Sequence, residues 1–148
     1  MTLTTTTAAI NGLVGGLVAT TAMTIAMLTL GDDAPPPTAA FWATYVGEGA
    51  PDQYLLQGMV LHAAYGVAAG VVFAAGSTLA GLGLVGAPVP GLVGGVVYGV
   101  VLFAGAAGFW MNVVLDTDPD RGQVAGFLAF HLVYGVVLGA VAGTGLLT

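Results

Sequence analysis

Cysteine is absent from this 148-residue chain, lysine is absent too, and arginine occurs once, at Arg121. Without cysteine there can be no disulfide, no thiolate metal site and no covalent c-type haem attachment. A single arginine against seven acids, for a formal charge of −6, cannot build the basic surface that nucleic-acid binding needs. Charged residues make up 5% of the chain, where a soluble domain carries about 25%. Such a chain has too little polar surface to be solvated on every side. Serine is just as scarce: Ser77 is the one candidate nucleophile, and no partner stands near it in sequence, so hydrolase chemistry has nothing to rest on.

What the chain has instead is apolar length. Hydrophobic residues reach 57%, with a mean hydropathy of +0.99. A membrane span takes about 20 apolar residues, and four windows qualify: Ala8 to Leu30, Tyr54 to Leu79, Gly91 to Leu115, and Gln123 to Leu147. None contains Asp, Glu, Lys or Arg. The first lacks a basic n-region and is long enough to span, so it reads as a retained helix rather than a signal peptide. The expected fold is an all-α membrane protein, one domain of four transmembrane helices over residues 1–148.

The connections differ in character. The first, Gly31 to Gln53, holds Asp32, Asp33, Pro35, Pro36, Pro37, Glu48 and Asp52, and its Thr38 to Val46 stretch reads as a short interfacial segment. Asp116, Asp118, Asp120 and Arg121 crowd the third, while the middle one, Ala80 to Pro90, is uncharged and rich in Gly and Pro. With four spans the first and third connections share a side, which gathers every charged side chain on one face. Trp42, Tyr45, Tyr54 and Trp110 fall near that face, as an aromatic belt would. Arg121 is the lone residue on which the positive-inside rule can act, and the expectation adopted is a cell-membrane protein with both termini cytoplasmic. Loss of lysine with a surplus of aspartate points to a proteome adapted to high salt.

An internal repeat organises the spans. Gly12-Leu-Val-Gly-Gly-Leu-Val18 matches Gly91-Leu-Val-Gly-Gly-Val-Val97, and His62-Ala-Ala-Tyr-Gly-Val-Ala-Ala-Gly70 matches His131-Leu-Val-Tyr-Gly-Val-Val-Leu-Gly139. The order is preserved, so the expectation is a tandem, parallel duplication of a two-helix hairpin, residues 8–79 and 91–147, about an axis along the membrane normal. At about 100° per residue, offsets of 0, 3, 4 and 8 share one helix face. Those offsets select Gly12, Gly15, Gly16 and Thr20; Gly91, Gly94, Gly95 and Gly99; His62, Tyr65, Gly66 and Gly70; and His131, Tyr134, Gly135 and Gly139. Small-residue stripes of this kind let helices approach closely in lipid.

The histidines are the only ionisable groups of their kind within the spans, and such groups are functional hypotheses by default. Three readings compete. In the first, His62 and His131 are neutral interior groups bonded to a tyrosine hydroxyl, a backbone carbonyl or water, with Tyr65 and Tyr134 beside them. In the second, they are the two axial ligands of a b-type haem, with facing glycines making room for the porphyrin. The third is a proton or cation path. No metal is expected, because zinc takes three or four protein ligands and the spans hold two histidines. Asn112, Thr20, Thr21 and Thr24 are expected to bond carbonyls in their own helices.

The chain resembles the small four-span membrane proteins of unknown function that are common in halophilic archaea. The resemblance rests on Gly12 to Met23, on the Leu-His-x-x-Tyr-Gly-x-x-x-Gly-x-Val-Phe-Ala of Leu61 to Ala74, and on His131 to Gly143. It implies a fold and a location and no activity. The expectation for function is therefore a non-enzymatic scaffold or accessory subunit in the lipid bilayer, with a membrane-protein partner or a second copy meeting glycines such as Gly81, Gly83, Gly105 and Gly108. The alternatives are the bis-histidine cytochrome and a small transporter or channel.

Overall fold

The computed structural model describes residues 4–31, 34–116 and 118–146, with nothing to say of the Val114 side chain. Asp32, Asp33 and Leu147, named above, lie outside the described residues. Among those described the elements are all helical, and four helices are long and apolar enough to cross a membrane. Helix α1 is Thr5–Leu30. A short helix α2, Pro37–Tyr45, and a 3₁₀ turn, Pro51–Tyr54, lead into α3, Leu55–Leu79. Helix α4, Pro88–Gly105, continues without a break as a π-helical segment, Ala106–Val114, and α5 is Arg121–Thr144. These four match the four apolar windows, and α2 matches the segment expected at Thr38 to Val46.

Local chemistry sets the ends. The Thr4 side chain accepts from the Thr7 amide at 3.2 Å and so caps α1. Asp120 and Gln123 form a capping box at the start of α5, with reciprocal side-chain to backbone bonds of 2.9 and 3.0 Å. Proline opens α2 and α4, where a missing N–H and a fixed φ cost nothing. The turn between α3 and α4 runs through Gly81, Gly83 and Gly86 at φ of 68°, 60° and 75°. Only glycine takes that conformation readily, so Gly81 and Gly83 shape a turn, and a Cβ at either would meet nothing within 4 Å.

The helices pack through their small-residue faces. In the α1–α3 pair, a Cβ added to Gly70 would stand 2.6 Å from the Gly16 Cα, and one on Gly16 would stand 2.9 Å from the Gly66 carbonyl oxygen. In the α4–α5 pair, a Cβ on Gly95 would stand 2.6 Å from the Gly139 Cα, and one on Gly99 would stand 3.2 Å from the Gly135 Cα. No other side chain fits at these points. Leu13, Leu17, Val60, Val72, Val93, Val97 and Val101 are exposed, as lipid-facing residues of a bundle would be. The interior holds Ala19, Met23, Ala69, Phe73, Ala74, Tyr134, Leu138 and Ala142.

The two pairs meet unevenly. Helix α1 lies along α5, where a Cβ on Gly15 would come 3.1 Å from Leu138. Among the described residues α3 and α4 share no such close face. What joins them is Tyr98, whose hydroxyl donates to the Ala69 carbonyl at 3.0 Å, with its ring 5.2 Å from Phe73. Held apart in this way, α3 and α4 leave space between the pairs.

Backbone contact at Gly95 makes a specific prediction. Gly95→Ala forces α4 off α5, at a cost of about 1–3 kcal/mol for overpacking. A Cβ at Gly105 meets nothing within 4 Å, so Gly105→Ala leaves stability unchanged or slightly raised. Unfolding in mixed detergent micelles, followed by circular dichroism, separates the two. Equal losses would show that the glycine contact does not carry the packing.

Candidate functional site

The space between the pairs is a cavity of about 260 Å³, lined by every helix of the fold. Its polar groups are few and come from different helices: Thr20 from α1, Thr38 from α2, His62 and Tyr65 from α3, His131 and Tyr134 from α5. Its walls are Met23, Met27, Phe41, Leu102, Trp110, Leu115 and Phe127. An apolar cavity with a few convergent polar groups is the usual form of a small-molecule site.

Sequence spacing explains the convergence. The Thr20 side chain is what a Cβ on Gly66 would strike. Because α1 and α3 run antiparallel, one turn onward in α1 and one turn back in α3 reach the same level. Met23 thus stands at the depth of His62, and Met27 lies a further turn towards the charged connections. Helix α2 closes that end. Phe41 meets Trp110 edge to face, with centroids 5.3 Å apart and planes at 90°. Trp110 is carried by the π-helical segment, whose i to i+5 bonding is visible in the Leu115 amide donating to the Trp110 carbonyl at 2.9 Å. Segments of this type are rare and frequently occur at functional sites.

The two histidines are held differently. His131 is buried, and its Nδ1 is 2.8 Å from the Phe127 carbonyl oxygen. A carbonyl can only accept, so Nδ1 carries the proton, and in the neutral ring Nε2 is left as a lone pair. Phe127 packs edge-on at 4.6 Å and Phe103 at 6.2 Å, fixing the ring plane. His62 lines the same cavity, but its Nε2 is buried with no hydrogen-bond partner, and the Thr38 hydroxyl is in the same state. A buried polar atom without a partner costs about 1–3 kcal/mol. Both atoms belong to residues of the cavity wall.

The tyrosines also part company. Tyr134 is buried and donates to the Gly66 carbonyl at 2.5 Å, tying α5 to α3. Tyr65, its counterpart in the sequence repeat, is 43% exposed. Of the other polar residues, Thr20 donates to the Gly16 carbonyl at 2.7 Å, Thr21 to Leu17 at 2.8 Å and Asn112 to Ala107 at 2.8 Å, each within its own helix as expected.

The room beside the histidines bears on the haem alternative. The glycines expected to make room for a porphyrin are occupied: Gly66 abuts Thr20, and Gly135 abuts Gly95 and Gly99. The cavity of about 260 Å³ falls below the roughly 300–1,000 Å³ of sites that take drug-sized ligands, and haem is a large member of that class. No group of three His, Cys, Asp or Glu gathers among the described residues. Met23, Met27, Phe127 and Trp110 were not read from the sequence as site residues. For Met23 the signal was present, because it extends the Gly12, Gly16, Thr20 face of α1 by one further turn.

Neither a protein-family model, nor a curated protein, nor a solved structure matches the chain.

The contrast between the tyrosines is testable. Tyr134→Phe removes a buried bond and lowers stability by about 0.5–1.5 kcal/mol, whereas Tyr65→Phe leaves it within error. Detergent-micelle unfolding midpoints of the two variants measure the difference. A larger loss at Tyr65 would contradict the assignment of the interhelical tie to Tyr134.

Proposed function

We propose that this chain is a non-enzymatic, multi-pass membrane protein that holds a small ligand between its spans and works as an accessory subunit or scaffold. The observation that carries this reading is the orphaned Nε2 of His62, a residue of a cavity wall that His131 and Thr38 also line. A histidine kept only as interhelical glue would have its partner, as His131 has. No carboxylate, serine or cysteine lines the cavity, and the Thr20 and Tyr134 hydroxyls are committed to backbone carbonyls, which argues for holding a ligand rather than transforming it.

The reading includes a tandem origin. Its support is the parallel between the glycine contacts of α1 with α3 and those of α4 with α5 at repeat-matched positions: a Cβ on Gly70 would strike the Gly12 carbonyl oxygen, and one on Gly139 the Gly91 carbonyl oxygen. On this view the charged connections share one face, and the termini lie on the other, cytoplasmic side. A partner helix or a second copy has a place to dock at Gly105 and Gly108, where a Cβ would meet nothing and the adjoining Val101 and Phe109 are exposed.

Native mass spectrometry of protein extracted gently from its own membrane tests the ligand. The wild-type chain is expected to carry a small adduct that is lost when the cavity is filled by Ala106→Phe. An unadducted wild-type mass, from protein still folded and still bound to its partner, would sink the reading. An absorbance spectrum of the same sample is expected to lack a Soret band, oxidised or reduced. A Soret band abolished by His62→Ala would restore the cytochrome alternative.

A further inference from the structure

Resting on the cavity reading above, we infer that the ligand is a soft monovalent metal ion, Cu(I), bound by the imidazoles of His62 and His131 and the thioether of Met23, with Met27 beside them. Three independent features converge on this ion.

The first is the tautomer of His131. Its Nδ1–H is committed to the Phe127 carbonyl, so Nε2 offers a lone pair and no proton. A ketone or quinone oxygen gains nothing from such a nitrogen, whereas a Lewis acid does. A metal-ligating histidine almost always donates its other ring N–H to a carboxylate, a backbone carbonyl or water, and His131 has that arrangement before any metal arrives. The second is the donor set. Met23 is buried at the depth of His62, and both methionine sulfurs belong to residues of the cavity wall. Thioether sulfur is a soft ligand that selects Cu(I) over harder ions. The third is charge. No carboxylate lines the cavity, so a divalent ion would leave two uncompensated charges among the spans. A monovalent ion in a neutral nitrogen and sulfur shell leaves one, and aromatic residues such as Trp110 and Phe127 are tolerant neighbours for it.

Access is consistent with a cation. A groove that shares Met27, Pro36, Pro37, Leu115 and Phe127 with the cavity reaches Asp118 in the charged connection. Cations gather at an acidic face, and this groove links that face to the histidines. Binding is a coordination step alone: two nitrogen lone pairs and one or two sulfur lone pairs are donated, no electron moves, and with neutral imidazoles no proton is released.

The test is anaerobic titration of the full chain in mild detergent with Cu(I) supplied as its bicinchoninate complex, followed by X-ray absorption at the copper edge. One Cu(I) per chain is expected, with both nitrogen and sulfur scatterers. Met23→Leu, which keeps the side-chain volume, should remove sulfur from the spectrum and weaken binding by about tenfold or more, and His62→Ala should abolish tight binding. Met59 lines the groove and not the cavity, so Met59→Leu should behave as wild type. Helical circular dichroism establishes that each variant is folded. Copper bound equally by wild type, Met23→Leu and His62→Ala would overturn the site. A chain that takes no Cu(I) yet carries an organic adduct from its membrane would overturn the metal while leaving the cavity reading intact. A chain with neither would end both.

Discussion

Everything in this fold depends on backbone meeting backbone at the glycine faces. In lipid there is little hydrophobic gain in bringing two helices together, because the tails are as apolar as the side chains they replace. Close approach supplies dispersion contacts in its place, and close approach requires that nothing project from the face. Gly16 against Gly66 and Gly70, and Gly95 against Gly135 and Gly139, satisfy that requirement at separations no Cβ would permit. With these contacts set, the depth of every other residue follows. Thr20 falls on Gly66, and a turn away Met23 falls level with His62.

Two close pairs do not by themselves make a site. The cavity exists because the pairs join unevenly, with α1 laid along α5 while α3 and α4 stay apart. Tyrosine hydroxyls govern that spacing. Tyr98 reaches the Ala69 carbonyl and Tyr134 reaches the Gly66 carbonyl, so two residues of the second pair are bonded to neighbouring turns of α3. A phenol is long enough to hold two helices together without letting their backbones touch, which is the opposite of what glycine does. The fold uses glycine within each pair and tyrosine where α3 faces the other pair. The space that results is closed at one end by α2 and Trp110.

Much of this was legible in the sequence. The four spans, the short helix after the prolines and the small-residue faces follow from hydropathy and from a 3.6-residue period, and these properties are local. Equivalence of His62 with His131, and of Tyr65 with Tyr134, was also legible as a pattern. What the pattern did not carry was the break in that equivalence. Whether a tyrosine is buried or half in lipid depends on which helix lies opposite, and nothing local in Tyr65 or Tyr134 distinguishes them. The π-helical segment escaped for a similar reason. Ala106 to Val114 is ordinary apolar helix by composition, and nothing local in it marks the widened turn. The positive φ of Gly81 and Gly83 was not legible, because a glycine needed for such a turn and a glycine needed for a close approach look alike until the turn is seen.

The unequal histidines bear most directly on function. Had the pair been retained only to join helices, burial would press both rings to the same solution, a bond to a carbonyl one turn back. His131 has adopted that solution through Nδ1, and its Nε2 is thereby left as a lone pair. His62, on the wall of the same cavity, has a buried Nε2 without any protein partner. A fold that can place Tyr134 and Tyr98 on carbonyls with good geometry was not short of means to satisfy a third side chain. The uncompensated cost at His62, together with that at Thr38, of about 1–3 kcal/mol each, is therefore better understood as free energy held for something that enters the cavity than as a defect of packing.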